Sequence, residues 1–363
     1  MPQTTRASVL IAPKQFEVRE FALPSIGPDA GLLKVEACGV CGSDVHGSQR
    51  LAPGERILGH ENVGVVAQIG ADAQRRWGVQ EGDRVALEEY VPCGACRWCR
   101  TEDFRFCAQT DFSGPGQRLW YGSTPLETWP ALWGGYSEYL YMHPNAVVHH
   151  MPTHVPAEQA AAFLPFSNGV EWAYRYGEVG LGKSILIQGP GQQGLACVIA
   201  AKEAGAAKII VSGLARDAKR MEIARKLGAD VTVDIESEDL VGRVRDVTGG
   251  EGVDVVVNVS GGRGAVAQAL AVAAKRSTVV LAAPGTEEIS VGSVGRRNLV
   301  LKWAHGHSYA SVELAIQMIA SGKYPLAEIS THTFGLDGVA DAIKAVAGEG
   351  APGAIHVSVI PTA

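Results

Sequence analysis

Cys93, Cys96, Cys99 and Cys107 are separated by two, two and seven residues. Four thiolates at such short spacings can surround one zinc ion tetrahedrally, and an all-sulfur shell leaves no position for a reacting molecule. Such a metal would hold a lobe of the chain, residues 93–107, together and do no chemistry itself. Disulfides are the alternative, but thiols this close in sequence pair only with strain. The segment Met1-Pro-Gln-Thr-Thr-Arg6 also lacks the apolar core of a signal peptide that would direct the chain to an oxidising compartment. A cytoplasmic location is expected, and the reacting groups must be sought elsewhere.

A second constellation begins with an apolar run, Ser184-Ile-Leu-Ile-Gln188, that leads directly into Gly189-Pro-Gly191-Gln-Gln-Gly194 and then a helical pattern. In a strand–loop–helix setting these glycines permit a tight turn, close approach of backbone to a pyrophosphate, and packing of helix on sheet. The phosphates then sit at the helix N-terminus. Gly189, Gly191, Gln192, Gln193 and Gly194 are the expected dinucleotide contacts. The next strand, Lys208-Ile-Ile-Val-Ser212, is followed by Gly213, where an acid gripping the ribose hydroxyls of NAD would stand. Arg216, Lys219 and Arg220 come soon after. A missing carboxylate with guanidinium groups nearby suits a 2′-phosphate, so NADP is favoured and NAD stays open; the alternative is a solvated helix face shared with Asp217.

Cys38-Gly-Val-Cys41-Gly-Ser43-Asp44-Val-His46, Gly59-His60-Glu61, the four-cysteine loop and the nucleotide loop follow one another in this order. Over nearly the whole chain this succession resembles the zinc-dependent medium-chain alcohol and polyol dehydrogenases. The resemblance implies a GroES-like, β-rich catalytic domain with a Rossmann cofactor domain, and a homodimer or homotetramer. It makes Cys41 and His60 zinc ligands, places Asp44 behind the metal, and gives Ser43 and His46 the relay of an alcohol proton to solvent. Thiolate, imidazole and carboxylate are all suitable zinc donors, and an open fourth position lets such an ion act as a Lewis acid. One departure stands out: the family's third ligand, just before a proline matching Pro165, is here Leu164. Either Glu61 completes the site, as in the sorbitol dehydrogenase branch, or the catalytic zinc is weak or absent; the first is the expectation. Two zinc ions per chain follow, one catalytic and one structural. The implied reaction is reversible hydride transfer between an alcohol and NAD(P). A zinc-free reductase of activated double bonds and a non-catalytic NADPH-binding protein are the alternatives.

Between Cys107 and Gly134 lies an aromatic stretch with Trp120, Trp129 and Trp133. With Phe163 and Phe166, Trp120 and Trp133 could wall a pocket for a bulky apolar or aromatic alcohol; a loop folding on its own aromatics or covering a subunit contact is the alternative. His305 and His307 could touch substrate or cofactor, or lie at a surface or interface.

The elements that must position these groups change style along the chain. Up to about residue 150, short apolar runs broken by Gly and Pro read as strands and turns, for example 64–70 and 83–87. From about Lys183, strands alternate with amphipathic helices: 184–188, 194–204, 208–211, 218–227, 254–259, 264–274 and 278–282. That alternation marks a doubly wound parallel sheet, an α/β fold. A helix at 311–321 and a strand at 354–359 return to the first style. The β-rich domain is therefore expected to be discontinuous, 1–166 with 304–363, around a Rossmann domain at 167–303. The 363 residues are ordinary for an enzyme of two domains, with 46% hydrophobic and 19% charged residues. Thirty-two basic against 38 acidic residues, a formal charge of −6, give no field for polyanions, so no nucleic-acid or membrane partner is expected. No apolar run is long enough to span a bilayer. Seven cysteines, grouped as 38/41, 93/96/99/107 and a lone 197, fit metal ligation better than a disulfide framework, with Cys197 as a core residue.

Overall fold

β1 (Ser184–Gln188), an Ile/Leu run buried from Ile185 onward, lies inside a six-stranded sheet with β2 (Lys208–Gly213), β3 (Val231–Asp234), β4 (Val253–Asn258), β5 (Ala273–Leu281) and β6 (Val300–Trp303). The spatial order is 3-2-1-4-5-6 and every pairing is parallel. Strands covered on both faces need apolar residues at consecutive positions, which is why Ile185, Leu186 and Ile187, like Val255, Val256 and Val257, are essentially inaccessible. The chain leaves β1 in one direction to build β2 and β3 and in the other to build β4 to β6. The switch point, where such sheets bind ligands, therefore lies at the carboxyl ends of β1 and β4. The glycine-rich turn is attached there.

The computed structural model describes residues 2–50, 54–111, 118–283 and 287–362. They divide into two units, Met1–Leu164 with Ile316–Ala363, and Pro165–Ala315. In the first, a seven-stranded sheet runs in the order Ser330–Phe334, His356–Val359, Gly31–Gly39, Glu61–Ile69, Arg84–Leu87, Val148–His150, with Tyr139–Met142 also paired to Gly31–Gly39. Its core is built from Leu33, Val35, Val66, Val85, Leu87, Leu140, Val357 and Val359, and a smaller sheet joins Thr4–Ala12, Gln15–Ala22 and Arg56–Ile57. Among the described residues no helix is long and apolar enough to cross a membrane.

The second unit is continuous in sequence and runs to Ala315. Residues 304–315 belong to the second unit, and a buried carboxylate explains why. Glu171 Oε2 accepts hydrogen bonds from Ser308 Oγ (2.7 Å), Ser311 Oγ (2.6 Å) and the Ser308 N–H (3.2 Å), while Trp172 Nε1 donates to the Gly306 carbonyl (3.0 Å). His307, fully buried, sits 3.0 Å from Asn168 Oδ1 through Nδ1. That side chain is internal to the unit, so a surface role for it is excluded. Replacing Glu171 with Ala removes the acceptor of two buried hydroxyls and an amide, leaving Ser308 Oγ and Ser311 Oγ, 3.1 Å apart, only each other to pair with beside the Ser311 N–H. We expect a loss on the order of 2–4 kcal/mol, read as a lower melting temperature; an unchanged melting curve would contradict this reading of 304–315.

Candidate active site

Strand Gly31–Gly39 pairs antiparallel with Glu61–Ile69, and its last residue, Gly39, lies opposite Glu61. This register brings Cys41, just past one strand, beside His60 and Glu61 at the start of the other. One donor atom each from Cys41, His60 and Glu61 lies within 4.8 Å of the others, and all three side chains are buried. Two glycines make room. A Cβ on Gly39 would fall 1.9 Å from Glu61 Oε2, and one on Gly59, whose φ is +92°, would meet Tyr136 and Cys38 Sγ at 2.6 and 2.8 Å. Only glycine fits at either position.

Helix Gly42–Ser48 starts at Cys41, and Asp44, three residues on, reaches back to accept the Cys41 N–H at 2.9 Å. The same oxygen accepts the Tyr136 hydroxyl at 3.1 Å, and the other oxygen stands 3.5 Å from His60 Nδ1. Burial, followed by the charge of Asp44, pushes the Tyr136 phenol well up, so it stays a donor. Burial works against a charged His60, yet Asp44, aided by Cys41 and Glu89, holds its pKa well above the usual histidine range. Burial likewise raises the Cys41 thiol. With Nδ1 facing Asp44, Nε2 is the ring nitrogen left for a metal. Neither Glu61 oxygen has a hydrogen-bond partner although both are buried; His356 Nε2, itself without one, is 3.6 Å from Oε2. A thiol, an imidazole and an orphaned carboxylate enclosed together fit a divalent cation of the zinc type. Ser43, exposed, has its Oγ 3.4 Å from His60 Nε2, and His46, also exposed, follows one helical turn later. Leu164 is buried and contributes no donor. A carboxylate that sequence reasoning passed over does come close: Glu89 Oε2 is 3.8 Å from His60 Nε2.

Cys93, Cys96, Cys99 and Cys107 come together, with their Sγ atoms within 4.8 Å of one another. Cys96 to Cys99 is 3.5 Å and Cys93 to Cys99 is 3.9 Å. Sulfurs tetrahedrally placed on zinc would be about 3.8 Å apart. The N–H groups of Ala95 and Cys96 lower the Cys93 thiol to about 6, and the Cys107 sulfur accepts the N–H groups of Cys93 and Gln109. All seven cysteines are free thiols, and Cys197 is in the core.

In the second unit, Gly189 takes φ +102°, and a Cβ on Gly194 would strike the Gly189 carbonyl oxygen at 1.9 Å. Gly191 faces open space and caps helix Gln192–Glu203. The first glycine makes the turn, the second leaves open space and the third lets helix and loop pack closely. Gly213 ends β2 and Arg216 is exposed, whereas Arg220 Nη1 is engaged by Asp217 Oδ1 at 3.0 Å. Glu236, not singled out from sequence, accepts the Ala215 N–H at 2.8 Å and brings a carboxylate to this end of the sheet.

The aromatic residues that the sequence offers as pocket walls are all buried. Trp133 is 2% exposed, packs against Tyr121, Tyr141 and His143, and donates through Nε1 to the Thr128 carbonyl. Trp120, Phe163 and Phe166 are buried as well. Trp120 meets Tyr90 edge-on, with ring centroids 4.7 Å apart. These rings fill the core because indole and phenyl groups bury more area than a loop can leave to a ligand.

Residues 27–153 match the alcohol dehydrogenase GroES-like domain, and residues 194–321 match the zinc-binding dehydrogenase domain. The chain is 38% identical over 355 residues, 95% of each chain, to a probable alcohol dehydrogenase of Mycobacterium tuberculosis. It is 31% identical to the erythritol/L-threitol dehydrogenase of Mycolicibacterium smegmatis, over 99% of each. Among solved structures, a zinc-binding dehydrogenase of Sinorhizobium meliloti bound to NADP superposes with a TM-score of 0.83 at 27% identity, covering 99% of this chain and 100% of that one. A Thermotoga maritima alcohol dehydrogenase shares the fold, with a TM-score of 0.87 at 22% identity over 99% of this chain and 100% of that one. The chain belongs to the zinc-type medium-chain dehydrogenase family. It is accordingly an NAD(P)-dependent oxidoreductase.

Two outcomes follow from this geometry. Asp44→Ala should weaken metal binding at Cys41 and His60 by about 10- to 100-fold in a chelator competition while the four-thiol site stays filled; equal affinity in the variant would refute the role given to Asp44. Cys99→Ser should lower zinc content and melting temperature together, because binding energy at a structural site is folding energy.

Proposed function

We propose that this protein oxidises an alcohol, or reduces the matching carbonyl compound, with NADP(H), using one zinc ion at Cys41, His60 and Glu61 and a second, structural one at the four thiols. The single observation that carries the reading is the enclosed Cys41–His60–Glu61 group with Asp44 locked behind it. When bound, zinc supplies a Lewis acid for the substrate oxygen and the nicotinamide supplies the hydride acceptor. The chain does the rest. Ser43, beside His60 Nε2, takes the hydroxyl proton, and His46 on the same exposed helix face hands it to water. The N–H groups at the start of helix Gln192–Glu203 receive the pyrophosphate, to which Gly191 allows the backbone to come close. Gly213 leaves room at the adenosine ribose and Arg216 meets the 2′-phosphate. The acid at Glu236 supports the competing NAD reading, so the cofactor preference is a separate question from the chemistry.

Trp133 and its neighbours are committed to the core, and this withdraws their support from a preference for bulky aromatic alcohols. A homodimer or homotetramer is supported by edge strand β6, which leaves Val300 45% and Trp303 56% exposed. Seven free thiols fit a reducing, cytoplasmic setting.

The reading is tested by measuring zinc per chain together with NADP-linked turnover over a panel of benzylic, cyclic, short aliphatic and polyol alcohols. Two zinc ions and turnover of at least one class are expected; a single zinc with no turnover of any class would overturn it. Arg216→Ala should weaken NADPH binding tenfold or more, about 1.5–3 kcal/mol, and leave NADH nearly unchanged; tighter NADH binding by the unmodified protein would reverse the preference. Trp133→Ala should cost about 3–5 kcal/mol of stability and reduce kcat/KM evenly across the panel. A loss confined to benzylic substrates would restore Trp133 to the pocket.

A further inference from the structure

Leu164 leaves the catalytic centre one donor short of the set that its family uses, and the structure brings a different carboxylate to His60. Glu89 follows strand Arg84–Leu87 by two residues. Its neighbour Glu88 is fully buried and stands 3.3 Å from His149 Nε2, an internal pairing. Glu89 instead keeps its side chain 14% exposed, with Oε2 3.8 Å from His60 Nε2. That nitrogen is the one pointing away from Asp44, since Asp44 Oδ1 lies 3.5 Å from Nδ1. Nδ1 faces Asp44 and Nε2 faces away from it, so Glu89 stands beside the ring nitrogen at which a metal would take the place of a proton.

Zinc–nitrogen and zinc–oxygen bonds of about 2.0–2.2 Å put two tetrahedral donors about 3.3–3.5 Å apart, so toward His60 the carboxylate has only a few tenths of an ångström to close. It stands outside the 4.8 Å group formed by Cys41, His60 and Glu61, and its side chain has to swing in to join them. The backbone around Glu89 is held in place. Its carbonyl accepts the Tyr121 N–H at 2.9 Å, and Tyr90 beside it packs on Trp120. The buried aromatic stretch thus braces the segment that carries this carboxylate.

Resting on the metal centre described above, we propose that Glu89 is a ligand of the catalytic metal and supplies the carboxylate that Leu164 cannot. Cys41, His60, Glu61 and Glu89 would then hold the ion in the resting protein, and Glu89, the most exposed of the four, is the ligand that gives up its place to a substrate oxygen.

The test uses the full chain, stripped of metal and reloaded with zinc or cobalt(II), as wild type, Glu89→Gln and Cys41→Ser. Zinc affinity is read by competition with a chromophoric chelator, and the cobalt d–d absorption reports the donor set. Glu89→Gln should weaken the less tightly held metal about tenfold or more and alter its d–d bands, with the four-thiol metal unchanged. If Glu89→Gln matches wild type in both affinity and spectrum while Cys41→Ser loses that metal, Glu89 is not a ligand and the metal centre stands without it. If Cys41→Ser also keeps both metals, the centre itself is misassigned and this proposal falls with it. Should Glu89→Gln not fold, the zinc-loaded wild-type crystal decides: a Glu89 oxygen about 2.0–2.2 Å from zinc is required, and any longer separation overturns the proposal.

Discussion

The carboxylate of Asp44 is the constraint on which the catalytic half of this protein depends. It is 3% exposed, and it faces three groups from three separate parts of the chain: the Cys41 N–H, the Tyr136 hydroxyl and the Nδ1 side of His60. A buried anion is costly unless its oxygens are satisfied, so the sequence has to deliver all three partners together. Once it does, the start of helix Gly42–Ser48, the orientation of the imidazole and the position of the Cys41 sulfur are fixed by one side chain. Gly39 and Gly59 belong to the same solution, for any side chain at either position would displace Glu61 or Tyr136.

The cofactor half rests on a different economy. Its loop holds no charged group in place; it works by leaving space. Gly189 turns, Gly194 packs against the Gly189 carbonyl, and Gly191 stays open at the head of helix Gln192–Glu203, the end of a helix that suits an anion. At the end of β2 the argument is also one of absence, Gly213 where an acid would select NAD. The presence of Glu236 nearby shows why composition alone could not settle the preference.

Groups whose chemistry depends on local spacing were legible in the sequence. The four thiols, the glycine-rich turn and the Cys41, His60, Glu61 set are each held by a strand end or a tight loop, so their spacing in sequence carries over into space. Strands β1, β2, β4 and β5 were recognised from their continuous apolar runs. β3 and β6 were not, since Val231–Asp234 is short and half-buried and β6 is an exposed edge without a clear apolar run. Long-range choices were hidden. Nothing local in Trp120 to Trp133 tells a core aromatic from a pocket wall, and only the fold shows Trp133 among Tyr121, Tyr141 and His143. The attachment of 304–315 to the Rossmann unit hangs on Glu171, more than 130 residues upstream of Ser308. Glu88 and Glu89 are adjacent and chemically alike in sequence; the two part company only because one meets His149 and the other His60.

The central claim is that the chain builds two metal centres of different chemistry, one closed by four thiols and one organised by Asp44 around Cys41 and His60. Anomalous scattering at the zinc edge from crystals of fully loaded protein tests it most directly. The account predicts two peaks per chain, one about 2.3 Å from each of the sulfurs of Cys93, Cys96, Cys99 and Cys107, the other within bonding distance of Cys41 Sγ and His60 Nε2. A single peak at the four thiols, with none beside Cys41, would contradict it.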